Sequence, residues 1–310
     1  MTPTWEPQVT GDGSFTFYSE EFQEAFHSRL GARDEAESKY VRWCRLRERA
    51  TGEGPLRLLD VCYGLGYNSA AALESIRAVN PRCAVEIVAL ELDPTVPVAV
   101  VESPLLRDWP ETVQPMLTAL ARQQSWCEDD SWGELRIGDA RDTIRTLAAS
   151  DWRADAIFLD PFSPKHCPQL WTVEFLAGLA ALLQPEGRLL TYCSAAAVRQ
   201  ALRLAPMEIA AIAAPSGLRP QRSDWSGGTA ASPRPLLGDA LLRPLSPMEE
   251  EHLRTNAAEP YRDPSGTADR ASILRNRQRI QQRRLSQGEV EATGSWRRRW
   301  GLDSAIGHHQ

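Results

Sequence analysis

The stretch that most constrains the fold is residues 56–68, LRLLDVCYGLGYN, where an apolar run ends in Asp60 and is followed by Gly64 and Gly66. The small residues at 69–73 then suit a helix. This order is typical of a strand that leads into a backbone turn able to approach a bound nucleotide, with a helix N-terminus just beyond. The sequence therefore predicts a nucleotide-binding βα unit that begins at Leu56.

Strand-like and helix-like segments alternate from this point onward. Strands are predicted at residues 56–61, 85–90, 135–137, 155–159 and 188–193, and two more at 207–213 and 229–232, joined by a loop that contains Gly and Pro. Helices are predicted at 69–79, 140–149, 171–183 and 196–204, and a Pro-punctuated helical region reaches residue 122. Such alternation predicts an α/β fold with a doubly wound, mostly parallel sheet.

The two ends of the chain differ from this middle region. We expect an N-terminal substrate-side segment at 1–45, where aromatic residues stand among charges, and the nucleotide-binding domain at 46–240. Residues 241–310 form a polar, helix-prone tail, in which nine arginines between positions 270 and 301 are opposed only by Glu289 and Glu291. The sequence therefore predicts N- and C-terminal additions to one α/β domain.

Composition excludes several classes of protein. No apolar run approaches the ~20 residues that a membrane span needs, and the N-terminus has no basic and apolar leader, so we expect neither a membrane partner nor secretion. The six cysteines form no CxxC pair, which argues against a zinc site or a disulfide framework and fits a reducing, cytoplasmic location. With only five histidines, a metal enzyme is not expected.

Four of the predicted strands have an acidic residue at or just after their ends. These residues are Asp60, Glu91, Asp139 and Asp160. Because ligands of an open parallel sheet bind outside the carboxyl ends of its strands, we expect the four carboxylates to share one cleft. Glu91 is placed to accept both ribose hydroxyls of a nucleoside and Asp139 to lie near an adenine amino group, while the two glycines leave room for the rest of the ligand.

The glycine pattern bears on which nucleotide is bound. A dinucleotide site favours the pattern G-x-G-x-x-G, whereas this chain has Ser69 in place of the third glycine. Serine is small, so this difference does not exclude NAD as the ligand. The acidic end of the third strand and the Asp-Pro-Phe after the fourth favour S-adenosylmethionine (SAM) as the cofactor.

The segment after the fourth strand, residues 158–172 (FLDPFSPKHCPQLWT), is the most specific. Its Asp160-Pro161-Phe162 is similar to the D-P-P-Y or N-P-P-F element of enzymes that methylate exocyclic amines. An acceptor must hold the N–H bonds of such an amine so that its lone pair meets the methyl group in line, and an aromatic face stabilises the developing cation.

Several separated motifs, in order, resemble the methyltransferase part of the MnmC-like tRNA 5-methylaminomethyl-2-thiouridine biosynthesis proteins. That family carries D-x-F-[SA]-P-x-x-x-P-x-[LM]-W after the fourth strand. It also has an upstream pattern that stands here as Tyr18-Ser-Glu, His27-Ser, Gly31-Ala and Glu37-Ser. Further matches at 191–199 and 228–232 extend the resemblance to roughly residues 18–232, with the arginine-rich tail outside it.

The resemblance implies a Rossmann-like SAM-dependent methyltransferase that N-methylates a 5-aminomethyl group on a wobble uridine of tRNA. An upstream aminomethyl-installing enzyme is an implied partner. Since the chain has no second glycine fingerprint for the flavin oxidase domain of bifunctional relatives, we expect the methyl step alone. The implied catalytic residues are Asp160 and Phe162. The implied cofactor residues are Asp60, Gly64, Gly66, Asn68, Glu91, Asp139 and Ala140. The implied substrate residues are Tyr18, His27, Pro161, Ser163 and Trp171.

Two departures from the family pattern stand near this site. Cys62 replaces a first glycine and Cys167 replaces an asparagine before Pro168. A non-catalytic RNA-binding protein whose pocket Cys62 closes therefore remains an alternative, as does an aminopropyltransferase of the spermidine-synthase type.

The basic tail leaves two interpretations open. The net charge of −6 argues against broad RNA binding, yet the arginines around Trp296 and Trp300 suit phosphates and an unpaired base. A solvated helix with a frayed basic end is the alternative. The N-terminal aromatics could likewise close over a substrate base or pack on the sheet.

Overall fold

The computed structural model describes residues 5–28, 31–212, 226–236 and 242–302. Its strands are β1 Gln8–Val9, β2 Phe15–Thr16, β3 Tyr18–Ser19, β4 Glu24–Ala25, β5 Leu56–Val61, β6 Val85–Glu91, β7 Ser125–Glu128, β8 Ser131–Ile137, β9 Ala154–Leu159, β10 Leu183–Thr191, β11 Glu208–Ile212, β12 Gly228–Ser232 and β13 Leu242–Arg243. Its α-helices are α1 Ala32–Ala36, α2 Leu46–Arg49, α3 Tyr67–Arg77, α4 Thr95–Val101, α5 Gln114–Gln123, α6 Ala140–Ala148, α7 Val173–Ala181, α8 Ala196–Leu204, α9 Pro247–His252, α10 Arg270–Ser286 and α11 Thr293–Arg299. Short π or 3₁₀ turns span Glu37–Val41, Arg42–Cys44, Pro104–Asp108, Pro168–Trp171 and Asn256–Ala258.

A single nine-stranded sheet organises the molecule, in the order β13-β11-β12-β10-β9-β5-β6-β8-β7. The five central strands, from β10 to β8, pair in parallel, and the pairs at both edges are antiparallel. The prediction of a doubly wound, mostly parallel sheet is confirmed. Residue 213 and most of the loop predicted between the strands 207–213 and 229–232, as far as residue 225, lie outside the described residues.

Helices cover both faces of the sheet and give it two cores. Along β6, Ile87 and Ala89 belong to one core, and Val88 and Leu90 belong to the other. Because successive side chains of a strand point to opposite faces, a strand buried on both sides must be apolar throughout. This is why the central strands could be recognised as continuous apolar runs.

Two predicted elements are wrong at their ends. The third predicted strand begins four residues earlier than expected, as β8, and forms a hairpin with β7 at the sheet edge. Buried side chains alternate with partly exposed ones along β8, as expected for a strand near the sheet edge that is fully covered on one face only. Residues 184–187, expected to close a helix, instead lie within β10, whose pairing with β9 shifts register between Leu183 and Arg188.

The N-terminal segment forms two small hairpins, β1–β2 and β3–β4, followed by short helical turns that pack on α3. The tail packs on the opposite face. Ile273 of α10 is buried in the same core as Trp171, and the buried pair Arg199–Glu249 joins α8 to α9 at 3.0 Å. In the described ranges, no helix combines the length and apolar character needed to cross a membrane.

Candidate active site

Backbone hydrogen bonds align the carboxyl ends of the central strands at one edge of the sheet. Asp160 N donates to Val61 O at 3.1 Å, Tyr63 N donates to Leu90 O at 2.9 Å, and Gly138 N donates to Glu91 O at 2.8 Å. These bonds connect β5, β6, β8 and β9 just where each predicted acidic residue stands. The sheet therefore brings the four strand ends together, as the sequence predicted.

The turn after β5 has the backbone of a glycine-rich turn although it begins with a cysteine. Cys62, Gly64 and Gly66 have φ values of +68°, +52° and +78°. The left-handed φ of Cys62 is the conformation that glycine adopts most readily, in keeping with the glycine that the family pattern led us to expect there. At Gly66 a Cβ atom would lie 2.6 Å from the Tyr63 hydroxyl, so this position needs glycine.

Asp60 lies near the carboxyl end of β5 and is completely buried. Its Oδ2 accepts a 2.6 Å hydrogen bond from the Ser69 hydroxyl, so the residue at the third glycine position fastens α3 to β5. Its Oδ1 has no hydrogen-bond partner among the described residues. Burial, aided by the charges of Asp160 and Glu91, raises the pKa of Asp60 to about 7.

Glu91 holds the glycine turn in place. Its Oε2 accepts from Gly64 N at 2.7 Å, and its Oε1 accepts from Leu92 N and Asp93 N at 2.8 and 2.9 Å. Burial raises the pKa of Glu91, and these backbone donors oppose the rise. A carboxylate offers about four acceptor positions, and the three backbone N–H groups occupy all but one of them. To accept both ribose hydroxyls, Glu91 would therefore have to release one of these three hydrogen bonds.

Asp139 is the N-cap of α6, which begins at Ala140, and accepts from Arg141 N at 2.9 Å. The Arg141 guanidinium bonds the same carboxylate at 2.7 Å and reaches Asp263 of the tail at 2.9 Å. Although burial acts to raise it, the hydrogen bonds and charge of Arg141 bring the pKa of Asp139 below its ordinary value. The residue predicted to lie near an adenine is therefore tied to the C-terminal tail.

Asp160 is held by two donors that come from distant parts of the chain. Its Oδ1 accepts from the Tyr40 hydroxyl at 2.6 Å, and its Oδ2 accepts from the Asn68 amide at 2.9 Å. Burial raises the pKa of Asp160 to about 6, against the effect of these two hydrogen bonds. Burial also raises the pKa of Tyr40 well above its ordinary value, so its hydroxyl stays protonated and donates.

Three phenylalanine rings meet beside Asp160. Phe162 stacks on Phe22 with ring centroids 4.5 Å apart and meets the edge of Phe26 at 5.0 Å. Phe26 also lies over the glycine turn, where a Cβ on Gly64 would stand 3.1 Å from its ring. Phe22 and Phe26 belong to the N-terminal hairpin β3–β4 and its flank, so this segment covers the motif.

Polar contacts fix the motif beneath these rings. Ser163 N donates to Glu24 Oε2 at 3.0 Å, and His166 Nδ1 hydrogen-bonds the Phe22 carbonyl. Trp171 is completely buried, and its indole N–H donates to Phe162 O at 2.9 Å. Tyr192 donates its hydroxyl proton to Pro161 O at 2.9 Å. Trp171 therefore supports the motif from inside the core.

The other two predicted substrate residues lie further from the motif. Tyr18 is 37% exposed on β3. His27 packs its ring against the edge of Tyr67, with centroids 5.0 Å apart, and burial lowers its pKa to about 4. Sequence reasoning missed Tyr40, Phe22 and Phe26 as members of the site; they stood among the aromatic residues of the N-terminal segment, but nothing in the sequence paired them with Asp160 or Phe162.

The structure bears on one of the two interpretations of the tail. Trp296, which could have stacked on a base, is 1% exposed and stacks on His252 with centroids 4.1 Å apart. Trp300 donates its indole N–H to Glu251 at 2.8 Å. The indole rings hold α11 against α9.

The residues present fit SAM. Asp60, Glu91 and Asp160 stand at this edge of the sheet and burial raises the pKa of each, so a cationic ligand with a sulfonium and an ammonium group would relieve their mutual repulsion. The unpartnered Asp60 Oδ1 gives that ligand an acceptor, and Gly64 and Gly66 of the turn carry no side chain that would block its approach. No cluster of three or more ligating side chains suited to a metal ion occurs within the described ranges. Sheet order, glycine turn and acidic strand ends together define a Rossmann-like methyltransferase.

Comparisons with known proteins agree with this class. Residues 102–217 match the family described as S-adenosyl-L-methionine-dependent methyltransferase. The crystal structure of MnmC2 from Aquifex aeolicus superposes with a TM-score of 0.71 at 30% identity, covering 88% of this chain and 84% of that one. An uncharacterized protein of Methanocaldococcus jannaschii is 30% identical over 62% of this chain, and the bifunctional MnmC of Acidovorax sp. JS42 is 28% identical over 73%.

The chain therefore belongs to the family of S-adenosyl-L-methionine-dependent methyltransferases that includes Aquifex MnmC2. Its cofactor is S-adenosyl-L-methionine, as predicted, and the resemblance noted in the sequence is confirmed. The match covers 51% of the Methanocaldococcus protein and 36% of the Acidovorax protein, so it spans about half or less of these relatives.

Proposed function

We propose that this enzyme N-methylates the 5-aminomethyl group of a wobble uridine in tRNA, with or without 2-thiolation, and produces the 5-methylaminomethyl form. The observation that carries the proposal is the Asp160 carboxylate, fixed by Tyr40 and Asn68 beside the ring of Phe162. The names of two relatives, both tRNA 5-methylaminomethyl-2-thiouridine biosynthesis proteins, support the choice of substrate.

The residues of the site have distinct tasks in this proposal. Bound S-adenosylmethionine supplies a methyl group on a sulfonium. Asp160 accepts an N–H bond of the amine and orients its lone pair; with a pKa of about 6 it is mostly ionised at pH 7. When SAM is bound, the Asp160 carboxylate would take up the proton that the amine nitrogen loses on methylation and would pass it to solvent. Phe162 offers its ring face to the cationic nitrogen.

The cofactor side of the site is proposed on the same grounds. Asp60, Gly64, Gly66 and Glu91 would surround the amino-acid and ribose portions, and Asp139 with Ala140 would lie by the adenine. Asn68 would act through Asp160, because its amide is bonded there.

The substrate must be prepared before this enzyme acts. The aminomethyl group has to be installed by an upstream enzyme, and we propose that this enzyme is a functional partner.

We also propose a cytoplasmic location, because all six cysteines are free thiols, as expected in a reducing compartment.

The test is a methyl-transfer assay with labelled SAM on bulk tRNA from a strain that lacks the modification, followed by nucleoside analysis. We expect label in 5-methylaminomethyl-(2-thio)uridine, and none with the Asp160→Ala variant, which should still bind SAM within a few fold. Absence of SAM binding by the wild type would favour the non-catalytic RNA-binding alternative. Transfer of an aminopropyl group from decarboxylated SAM would favour the aminopropyltransferase.

A further inference from the structure

The longest helix of the tail, α10, has one face bound to the enzyme and one face in solvent. Ile273 is buried in the core, Arg277 donates to the carbonyl oxygens of Glu259 and Ala257, and Arg284 pairs with Glu259 at 2.8 Å. These residues recur at the spacing of one helical face. Their contacts fix the orientation of the helix on the protein.

The opposite face carries Arg275, Arg279 and Arg283, and all three are exposed. They stand four residues apart, so successive guanidinium groups project about 6 Å apart along the helix. Arg275 donates to the Ser272 hydroxyl and Arg279 donates to the side-chain amide oxygen of Asn276, both at i−3. Within the described ranges, no carboxylate forms an ion pair with any of the three. We call this set the arginine ladder.

Other arginines of the tail are already neutralised by acids. Arg299 pairs with Glu251 and Glu291, and Arg284 pairs with Glu289 as well as Glu259. The ladder is thus a local strip of positive charge on a chain whose net charge is −6. Such a strip attracts a polyanion to one place without general affinity for one.

The ladder also starts close to the active site. The first turns of α10 pack against the 3₁₀ turn Pro168–Trp171 of the motif that carries Asp160. Burial raises the pKa of the Cys167 thiol to about 12, and the charge of Arg270 is among the effects that oppose this rise. Arg270 therefore stands near the motif, and Arg283 lies about 20 Å further along the helix axis.

We propose that the arginine ladder binds consecutive phosphates of the tRNA substrate and so presents the wobble nucleotide to Asp160. Guanidinium groups suit phosphates because they are always charged and donate in a planar fork. The ladder carries no aromatic residue or acceptor for base recognition, so it positions the RNA and does not select its sequence. This inference rests on the proposed tRNA substrate.

The test compares two triple variants with equal loss of charge. The first replaces Arg275, Arg279 and Arg283 by glutamine. The control replaces Arg82, Arg107 and Arg122 by glutamine as well. These three are also exposed but lie on the other face of the sheet. We expect KM for tRNA to rise on the order of tenfold in the first variant alone, with kcat and SAM affinity unchanged. Its slope of log affinity against log salt should fall by about 2, since each lost phosphate contact removes about 0.7.

The outcomes separate the two proposals. If the wild type transfers no methyl group to tRNA, the proposed function fails. If the wild type is active and the ladder variant keeps the wild-type KM for tRNA, the arginine ladder has no part in binding, and the inference is overturned. An equal loss in both variants would assign the effect to net charge, which also overturns it.

A second measurement uses the unmodified wild type. Phenylglyoxal modifies accessible arginines, and peptide mapping then shows which of them tRNA protects. We expect protection at the three ladder positions and none at Arg82, Arg107 and Arg122. If tRNA does not slow the modification of the ladder arginines, the proposal is contradicted. The same result is expected if the helix binds an acidic protein instead of tRNA.

Discussion

Replacing Asp160 by asparagine should stabilise the protein at neutral pH while it abolishes methyl transfer. The side chains have the same shape, and the Tyr40 hydroxyl can donate to the asparagine oxygen as it does to Oδ1 of Asp160. The amide of Asn68 can turn so that its oxygen accepts from the new amide group. The substitution therefore removes a buried charge and keeps both hydrogen bonds.

The magnitude follows from the pKa of Asp160, which is about 6 against an ordinary value of 3.8. The folded state binds this proton more tightly than the unfolded state, so ionisation costs stability as pH rises from about 4 to 6. Since one pKa unit corresponds to 1.36 kcal/mol, the cost above pH 6 is about 3 kcal/mol. Asparagine does not ionise, so the variant escapes this cost.

The assay is urea unfolding of wild type and variant between pH 4 and pH 7.5. We expect the difference in the free energy of unfolding to be near zero at pH 4 and to reach about 3 kcal/mol in favour of the variant above pH 6. Asp142→Asn is the control, because that carboxylate is 68% exposed, and it should change stability by less than about 1 kcal/mol. A difference that does not vary with pH, or a variant less stable at pH 7.5, would refute the reasoning.

Three further outcomes are expected. Glu91→Ala leaves the N–H groups that hold the glycine turn without their acceptor, so calorimetric titration should show SAM affinity at least ~10-fold weaker; an unchanged affinity would show that Glu91 does not organise the cofactor site. Tyr40→Phe removes a donor to the Asp160 carboxylate, so the acid limb of the pH–rate profile should move up by about one unit, whereas an equal loss at every pH would make Tyr40 merely structural. Glu249→Gln leaves the Arg199 guanidinium buried without its charge partner and should lower the free energy of unfolding by about 3 kcal/mol in urea; a loss below about 1 kcal/mol would mean that water or other groups replace the partner.

The central fold could be predicted from the sequence because its signals are local. The strands β5, β6 and β9 are buried on both faces and are therefore mainly apolar, and an acidic residue stands near the end of β5, at the end of β6 and directly after β9. The topology of parallel strands then dictates that these acids meet at one edge. The edge strand β8, whose burial alternates, and the first half of β10 lack such a run.

The partners of the acids could not be predicted, because they are set by packing between distant segments. Tyr40 precedes Asp160 by 120 positions, and Phe22 precedes Phe162 by 140. The arginine-rich tail shows the same limit. Its composition indicated RNA contacts, but only the three-dimensional arrangement separates the exposed ladder from arginines bound to acids and from the buried Trp296.

The most direct test of the account compares two tRNA substrates that differ only at the wobble uridine, one bearing the 5-aminomethyl group and the other unmodified. The enzyme should methylate the first alone, and mass spectrometry of its nucleosides should find the added methyl on the side-chain nitrogen. Methyl transfer to the unmodified tRNA, or to any other atom of the first, would contradict the claim that Asp160 and Phe162 form an amine-methylating site.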